Sequence, residues 1–249
     1  MSVVDEIYRN NRNRASIGSS RRSRPVISLK ESVEEKNSKG RLGLIAEFKK
    51  RSPSGFESKG LVSTTSYFGK LDLSKLAGLS VLTEPDRFGG SWDDLAESQP
   101  FNIPLLAKDF FDSENMIRDA YFCGADSVLL IADFMKGERL AALAESASEY
   151  GMDALIEFHD FESAERIPVH DNVIVGYNRR NLRTMKMESR EKEAAEMFDR
   201  KDVPFILESG IDSTNARTMD FTGFSGLLVG SSIINGESVV DVLQSRGLL

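Results

Sequence analysis

The chain has 249 residues, of which 40% are hydrophobic and 29% charged, and its formal net charge is −7. This composition excludes collagen-like, disordered and disulfide-scaffold proteins, and no apolar run reaches the ~18 residues that span a bilayer. The single cysteine, Cys123, excludes an internal disulfide, and with only two histidines it leaves no Cys/His zinc site. We therefore expect a protein of the reducing cytoplasm with no structural metal and no membrane partner.

Residues 1–30 differ in charge from the rest of the chain. They carry seven basic and two acidic side chains, although the chain as a whole is acidic. A basic arm of this kind could bind RNA or an organelle receptor, but the acidic body lacks the broad basic surface of a nucleic-acid-binding protein. We favour an arm that is solvated or covers the fold, and we expect no nucleic-acid partner.

From residue 42 onward, short apolar runs alternate with longer polar or amphipathic stretches. Continuous apolar runs are typical of parallel strands buried on both faces, and their spacing leaves room for a helix between most neighbours. The predicted strands are Leu42–Phe48, Leu79–Leu82, Ile103–Ala107, Ser127–Ile131, Ala154–Phe158, Val173–Val175, Val203–Leu207 and Gly226–Val229.

Three of the intervening stretches have the spacing or composition of helices. Ser113 is placed to cap one helix, and an apolar periodicity that begins at Leu140 ends near Gly151, a residue suited to a helix C-terminus. Residues 188–198 are rich in good helix formers. Residues 60–77 stay unassigned, because Ser, Thr and Gly interrupt every period there.

Eight strand–helix units in this order are typical of an α/β fold of the (β/α)8 TIM barrel class. No G-x-G-x-x-G follows the first strand and no Walker A motif is present, so a dinucleotide-binding open sheet has no support. We predict an N-terminal extension over residues 1–41 that packs on the barrel. Residues 42–249 form the barrel itself, with one domain overall.

Charged and small residues follow the predicted strands at their carboxyl ends, where barrels gather their chemistry. An isolated charge beside buried strands is costly, so lysines and carboxylates that converge there would shift one another's pKa values, as catalytic groups require. Any one of these residues alone is more often a plain surface residue, and only the joint pattern indicates a site. The residues are Glu47, Lys49, Ser52, Pro53, Lys108, Glu157, Asn178, Arg180, Ser209, Gly210, Gly230 and Ser231.

The small residues after the seventh and eighth predicted strands indicate a phosphate site. Ser209-Gly210 and Gly230-Ser231 are small enough for backbone N–H groups to approach an anion closely. Barrels often hold a phosphate between the loops after strands seven and eight. Each glycine alone fits an ordinary turn, so the prediction depends on the pair.

The same residues resemble the signatures of the indole-3-glycerol phosphate synthase family, barrel enzymes of tryptophan biosynthesis. The similarity covers all eight predicted strands in order, and its first, third and sixth blocks are the most specific. The resembling segments are Ile45–Ser54, Ser80–Glu84, Phe88–Ser91, Leu106–Phe110, Gly124–Ile131, Leu155–Asp160, Asn178–Leu182, Glu208–Ile211 and Val229–Ser232, with Arg24–Lys30 ahead of the barrel.

The chain departs from the family pattern in two places. After Phe110 the family commonly continues with an Asp-Pro-Tyr-like turn, whereas this chain has Phe111-Asp112-Ser113-Glu114. Residues 60–77 also lack the usual Ala/Glu-rich helix. Both departures lie in loops and outer helices, so they bear on substrate affinity and loop motion more than on the type of reaction.

The resemblance implies a carboxy-lyase that closes the ring of 1-(2-carboxyphenylamino)-1-deoxyribulose 5-phosphate, with loss of CO₂ and water, to give indole-3-glycerol phosphate. It implies that Lys108 is the general acid and that Glu157 and Lys49 transfer protons. Glu47 and Asn178 would then orient groups and substrate. The cation formed on closure is the electron sink for decarboxylation, so we expect no cofactor and no metal.

The substrate contacts follow from the same resemblance and from side-chain chemistry. Arg180 and Lys49 would offset the two anionic ends of the substrate, and Ser52 and the two small-residue loops would complete the polar contacts. An apolar slot suits the anthranilate ring. Its expected members are Pro53, Phe88, Phe110, Leu129 and Leu182.

Two other functions were weighed against this one. By resemblance, a phosphoribosylanthranilate isomerase would carry a Cys base on strand one and an Asp acid on strand six. Here strand one offers Glu47 and Lys49, and strand six offers Asn178, so we reject this function. A sugar-phosphate-binding regulator could instead use the basic arm to contact RNA. We interpret His159 as a loop or packing residue and Cys123 as a packing residue, and we expect a monomer.

Overall fold

A computed structural model of the chain describes residues 3–58, 60, 63–168, 170–198 and 202–249. Within them lies a closed barrel of eight parallel strands, each paired with the next along the chain and the last paired with the first. The predicted (β/α)8 barrel is therefore confirmed. The strands are β1 (Gly43–Phe48), β2 (Leu76–Leu82), β3 (Leu105–Lys108), β4 (Ser127–Ile131), β5 (Asp153–Phe158), β6 (Val173–Asn178), β7 (Phe205–Glu208) and β8 (Gly226–Val229).

Two helices precede the barrel, and the others lie in the connections between strands or after the last strand. They are α1 (Val3–Asn11), α2 (Leu29–Ser38), α3 (Thr64–Phe68), α4 (Trp92–Ala96), α5 (Glu114–Phe122), α6 (Gly137–Glu149), α7 (Phe161–Ala164), α8 (Glu191–Phe198), α9 (Ser231–Ile234) and α10 (Val239–Ser245). Short 3-10 turns occur at Leu73–Lys75, Gln99–Phe101, Ala132–Phe134 and Asn215–Arg217.

Strands β3 and β7 each begin two residues later than the apolar pattern predicts. Both predicted runs contain a proline, Pro104 or Pro204, that has no N–H for the parallel ladder. The carbonyls of these prolines still accept hydrogen bonds, from the N–H of Leu79 at 2.8 Å and of Val175 at 3.0 Å. Each strand therefore starts immediately after its proline.

Strand β2 begins at Leu76, three residues earlier than predicted, so the unassigned segment 60–77 ends inside the barrel. The described part of that segment also contains α3, which Ser63 caps by accepting a hydrogen bond from the N–H of Ser66. This helix has only five residues. The frequent Ser, Thr and Gly residues, which are poor helix formers, account for its short length.

The predicted helix ends agree with the structure for α5 and α6. The Ser113 hydroxyl accepts from the N–H of Met116, and Gly151 follows α6 with a φ of +71°. The helix predicted over residues 188–198 is α8, which begins at Glu191. Helix signals in the sequence thus locate these elements to within three residues.

Side chains alternate along the strands between two apolar cores. In β4, Val128 and Leu130 belong to the core between strands and helices, whereas Leu129 and Ile131 belong to the core inside the barrel. This alternation is the two-residue period of an extended chain. It decides which strand-end residues can reach the barrel interior.

The two N-terminal helices lie at opposite ends of the barrel. Leu29 and Val33 of α2 belong to the inner core, and an added Cβ at Gly43, the first residue of β1, would lie 3.0 Å from Val33. Helix α2 therefore closes the end where the strands begin. Val4 and Ile7 of α1 are buried and lie over the other end, where the strands finish.

The basic side chains of the described arm pair with carboxylates of the barrel. Arg14 lies 2.7 Å from Asp109, and Arg12 lies 2.7 Å from Asp112. Arg24 likewise donates to the buried Asp126. The barrel thus neutralises these charges, which do not form an open basic surface. Among the described residues, no helix is long and apolar enough to cross a membrane.

Candidate active site

A cavity of about 310 Å³ opens at the carboxyl ends of the strands. Its size suits a small ligand. All sixteen site residues predicted from the sequence line it, because they lie in the strands or in the loops that follow the strands at this edge of the barrel. They are Glu47, Lys49, Ser52, Pro53, Phe88, Lys108, Phe110, Leu129, Glu157, Asn178, Arg180, Leu182, Ser209, Gly210, Gly230 and Ser231.

A network of buried charges forms the floor of the cavity, with the Lys108 ammonium at its centre. Lys108 Nζ lies 2.8 Å from Glu208 Oε2, 3.3 Å from Glu47 Oε2 and 3.9 Å from Glu157 Oε2. Lys49 Nζ lies 2.7 Å from the other oxygen of Glu47. Two lysine side chains thus share three carboxylates, which come from strands β1, β5 and β7.

These contacts decide the charges of Lys108 and Glu47. Burial lowers the pKa of the Lys108 ammonium, but its carboxylate neighbours, Glu208 above all, raise the pKa beyond its usual value overall. Burial raises the pKa of Glu47, but Lys49 and Lys108 outweigh it and lower the pKa to about 2. Lys108 is therefore a charged proton donor at neutral pH, and Glu47 is an ionised carboxylate.

Glu157 has the opposite electrostatic environment. Burial, and then repulsion from Glu208, raise its pKa to about 8, although Lys108 and a hydrogen bond from Asn178 act against the rise. Asn178 Nδ2 donates to Glu157 Oε1 at 2.7 Å, while Oε2 is buried without a hydrogen-bond partner. The site therefore holds one carboxyl group that keeps a proton at neutral pH beside another that does not.

Glu208 is the main residue that the sequence analysis left outside the predicted site. Its side chain is fully buried on β7, and an added Cβ at Gly176 would lie 2.4 Å from Glu208 Oε1. The glycine on the neighbouring strand thus makes room for the carboxylate. The available signal was a glutamate at the carboxyl end of an apolar run, and a glutamate near the end of another run identified Glu157.

Aromatic and aliphatic side chains form the opposite wall of the cavity. The rings of Phe88 and Phe110 lie 6.0 Å apart, and Glu84 accepts hydrogen bonds from three backbone N–H groups of the loop that carries Phe88. Val4 and Ile7 of α1 complete this wall from above. No sequence pattern indicates these two, because only the tertiary fold brings residues of the arm to the cavity.

The two small-residue loops lie side by side at the rim. Ser209 and Gly210 have φ values of +71° and +66°, so both residues take the left-handed conformation that favours glycine. An added Cβ at Gly230 would lie 2.5 Å from Glu47 Oε1. Glycine at this position therefore lets the eighth strand end pass directly over the carboxylate of the first.

His159 and Cys123 do not line the cavity. His159 is buried and bonded to the backbone of Asn178, and Cys123 is buried at the end of α5. Burial raises the pKa of the Cys123 thiol to about 11, which keeps it in the unreactive protonated form. Within the described residues, no group of three or more His, Cys, Asp and Glu side chains could hold a metal ion.

Sequence comparison finds relatives along nearly the whole chain. The family model described as indole-3-glycerol phosphate synthase matches residues 4–245. The enzyme of that name from Picrophilus torridus is 40% identical over 247 residues, which cover 99% of this chain and 96% of the relative. Its counterpart from Thermoplasma acidophilum is 37% identical over 246 residues, which cover 99% of each chain.

Structural comparison finds similar barrels at low sequence identity. Tryptophan synthase subunit alpha from Legionella pneumophila superposes with a TM-score of 0.61 at 13% identity, covering 88% of this chain and 90% of that one. The 3-keto-L-gulonate-6-phosphate decarboxylase from Vibrio cholerae gives a TM-score of 0.60 at 12% identity, covering 83% and 97%. At these identities the similarity shows the fold alone.

Proposed function

The chain belongs to the indole-3-glycerol phosphate synthase family, and from this premise we propose how its cavity performs the family reaction. The enzyme is a carboxy-lyase of tryptophan biosynthesis that acts on 1-(2-carboxyphenylamino)-1-deoxyribulose 5-phosphate. It joins a ring carbon to the ketone carbon and releases CO₂ and water to give indole-3-glycerol phosphate. The roles of individual residues below are our proposal.

Ring closure requires a proton at the ketone oxygen as the aromatic carbon attacks. We assign this proton to the Lys108 ammonium, which lies in the floor of the cavity with three carboxylates within 4 Å. Positioned proton transfer of this kind typically contributes about 10²–10⁴-fold. This geometry of Lys108 is the single observation that carries the proposal.

Closure leaves a positive charge on the substrate's nitrogen and ring, which the ionised Glu47 stabilises electrostatically. The bond to CO₂ then breaks, and its electron pair restores the aromatic ring. This cation is an internal electron sink, so the chemistry needs no external cofactor.

Dehydration requires a second acid and a base. Glu157, which holds its proton at neutral pH, gives it to the leaving hydroxyl, and the Lys108 amine takes the proton from the adjacent carbon and becomes an ammonium again. One proton is consumed in each turnover, which balances the loss of a carboxylate as CO₂. We assign its resupply to Lys49, the second ammonium bound to Glu47.

Substrate binding divides between the two walls of the cavity. Asn178 holds Glu157 through Nδ2 and accepts the N–H of Arg180 through Oδ1, so it orients an acid and a cation together. Arg180 and Lys49 offset the two anionic ends of the substrate. Ser52 and the loops at Ser209-Gly210 and Gly230-Ser231 bind the phosphate. The anthranilate ring lies among Pro53, Phe88, Phe110, Leu129 and Leu182.

We further propose that the enzyme acts as a monomer in the cytoplasm, with residues 1–41 as an extension of a barrel domain at 42–249. Met187 is the only large hydrophobic side chain among the described residues that is exposed, and this scarcity of exposed apolar side chains supports the monomer.

The reaction itself is tested with purified protein and the carboxyphenylamino-deoxyribulose phosphate, without added cofactor and in the presence of a chelator. We expect indole fluorescence to appear with the stoichiometric release of CO₂. A protein that binds the substrate and forms no indole would contradict the proposal and favour a sugar-phosphate-binding regulator.

Replacing Gly230 with alanine tests the contact between the first and last strand ends. We expect kcat/KM to fall by about 10- to 100-fold, since a displacement of ~1 Å at a catalytic group can have that effect. The added methyl would overlap Glu47 Oε1, so the carboxylate would have to leave its position between Lys49 and Lys108. Gly18→Ala is the matched control, because a Cβ there meets no atom within 4 Å. Unchanged kinetics for Gly230→Ala would refute the assigned role of Glu47.

A further inference from the structure

His159 lies immediately behind the catalytic cavity, two residues beyond Glu157 on the same strand end. It is buried, with 7% of its surface exposed, and its Nδ1 lies 2.8 Å from the backbone carbonyl oxygen of Asn178. A carbonyl oxygen only accepts hydrogen bonds, so Nδ1 must carry the proton and donate it. The imidazole therefore does not act as a base in the cavity but is bonded to the backbone that carries Asn178.

The place of this bond in the barrel gives it a function. The ladder between β5 and β6 ends with Phe158 opposite Tyr177, one step before His159 and Asn178. On its other side, Asn178 is still paired with Glu208 of β7. The imidazole bond thus replaces the next rung of the ladder and ties Asn178 to β5 where backbone pairing has stopped.

The imidazole is itself held from two directions. Its Nε2 lies 3.3 Å from Glu188 Oε2, in the loop after β6, and its ring lies parallel to that of Tyr177 with centroids 6.2 Å apart. The N–H of His159 donates to Asp133 Oδ2 at 3.1 Å. These contacts leave the ring a single orientation, with Nδ1 toward Asn178.

Asn178 in turn holds Glu157 and the backbone of Arg180. Its side chain donates to the Glu157 carboxyl group and accepts from the backbone N–H of Arg180. We infer that His159 is a positioning residue, which holds the backbone of Asn178 and through it the carboxyl group of Glu157 in their reactive arrangement. This inference depends on the roles proposed above for Glu157 and Asn178. It assigns His159 no contact with substrate.

Two substitutions test the contacts of the two ring nitrogens separately. In His159→Asn the side-chain amide nitrogen occupies the position of Nδ1 and keeps the donor to Asn178, but the contact with Glu188 is lost. In His159→Gln the amide reaches the position of Nε2 and the donor to Asn178 is lost. His170→Asn is the matched control, because the second histidine is exposed.

We expect His159→Gln to lower kcat by ~10–100-fold, because it loosens a catalytic group by about an ångström. The KM should change less than kcat, since the phosphate loops lie on other strands. His159→Asn should stay within about fivefold of wild type, since the lost contact is with the partly exposed side chain of Glu188. Melting temperatures and binding of indole-3-glycerol phosphate, followed by fluorescence, show whether each variant is folded.

Equal kcat losses in the two variants would overturn the inference, as would a loss of melting temperature in His159→Gln without a loss of kcat. An inactive wild-type protein would instead overturn the proposed function. In that case, product binding and melting temperature would still show whether the donor to Asn178 matters to the folded site.

Discussion

Replacing Lys108 with methionine is expected to lower kcat by at least ~10²-fold, the lower end of what a positioned proton donor contributes. Methionine has a similar length, so the cavity keeps its shape while the ammonium is lost. The ketone oxygen would then have to take its proton from water as the ring closes. Steady-state kinetics with the phosphorylated substrate measure the effect, and the KM should change much less than kcat.

The Lys108 variant also leaves Glu47, Glu157 and Glu208 around a neutral side chain. The loss of their shared positive charge should reduce stability as well, so thermal unfolding is measured in parallel to confirm that the variant is folded at the assay temperature. Lys192→Met is the matched control, because the Lys192 side chain is 90% exposed on α8. A loss confined to KM would contradict the role of Lys108 as general acid.

Replacing Glu157 with glutamine is expected to lower kcat by ~10²–10⁴-fold, because glutamine cannot give a proton to the leaving hydroxyl. Glutamine has the same shape and can still accept the hydrogen bond from Asn178, so substrate binding should be largely retained. The pKa of about 8 predicts that kcat of the wild type falls above pH 8 as Glu157 loses its proton. This ionisation should be absent from the residual activity of the variant.

Although Glu157→Gln should lower activity, we expect it to make the folded protein more stable. Folding raises the pKa of Glu157 from 4.5 to about 8, so between these values the folded state holds a proton that the unfolded state has lost. Stability of the wild type therefore falls as the pH rises through this window and is constant above it, as far as this group is concerned. Glu157→Gln should unfold at higher urea concentration than wild type at pH 8, with a smaller difference at pH 5.

Glu162→Gln on α7 is the control for both measurements, since it makes the same change at an exposed position nearby. A Glu157 variant with wild-type activity would refute its role in dehydration. A stability difference that does not change with pH would show that Glu157 is ionised in the folded enzyme at all pH values tested.

Much of this site could be predicted from the sequence, and the reason is geometric. In a parallel barrel, every strand finishes at the same rim, so a residue such as Lys108 or Glu157 that lies near the end of an apolar run and faces inward is placed at the cavity. The runs themselves are local features with a clear pattern. The errors in the predicted strand bounds were local too. At Pro104, for example, the proline has no N–H, and strand β3 begins at the next residue.

The sequence by itself thus determined the barrel, its strand order and most of the side chains that reach its mouth. The tertiary structure alone decided which carboxylate faces which ammonium, that Glu208 is the nearest carboxylate to Lys108, that α1 covers the cavity, and that His159 holds Asn178. These features depend on barrel closure and strand register, which bring together residues about 100 positions apart such as Lys108 and Glu208. The pKa values of Glu47 and Glu157 diverge for the same reason, because they reflect distances that exist only once the barrel has closed.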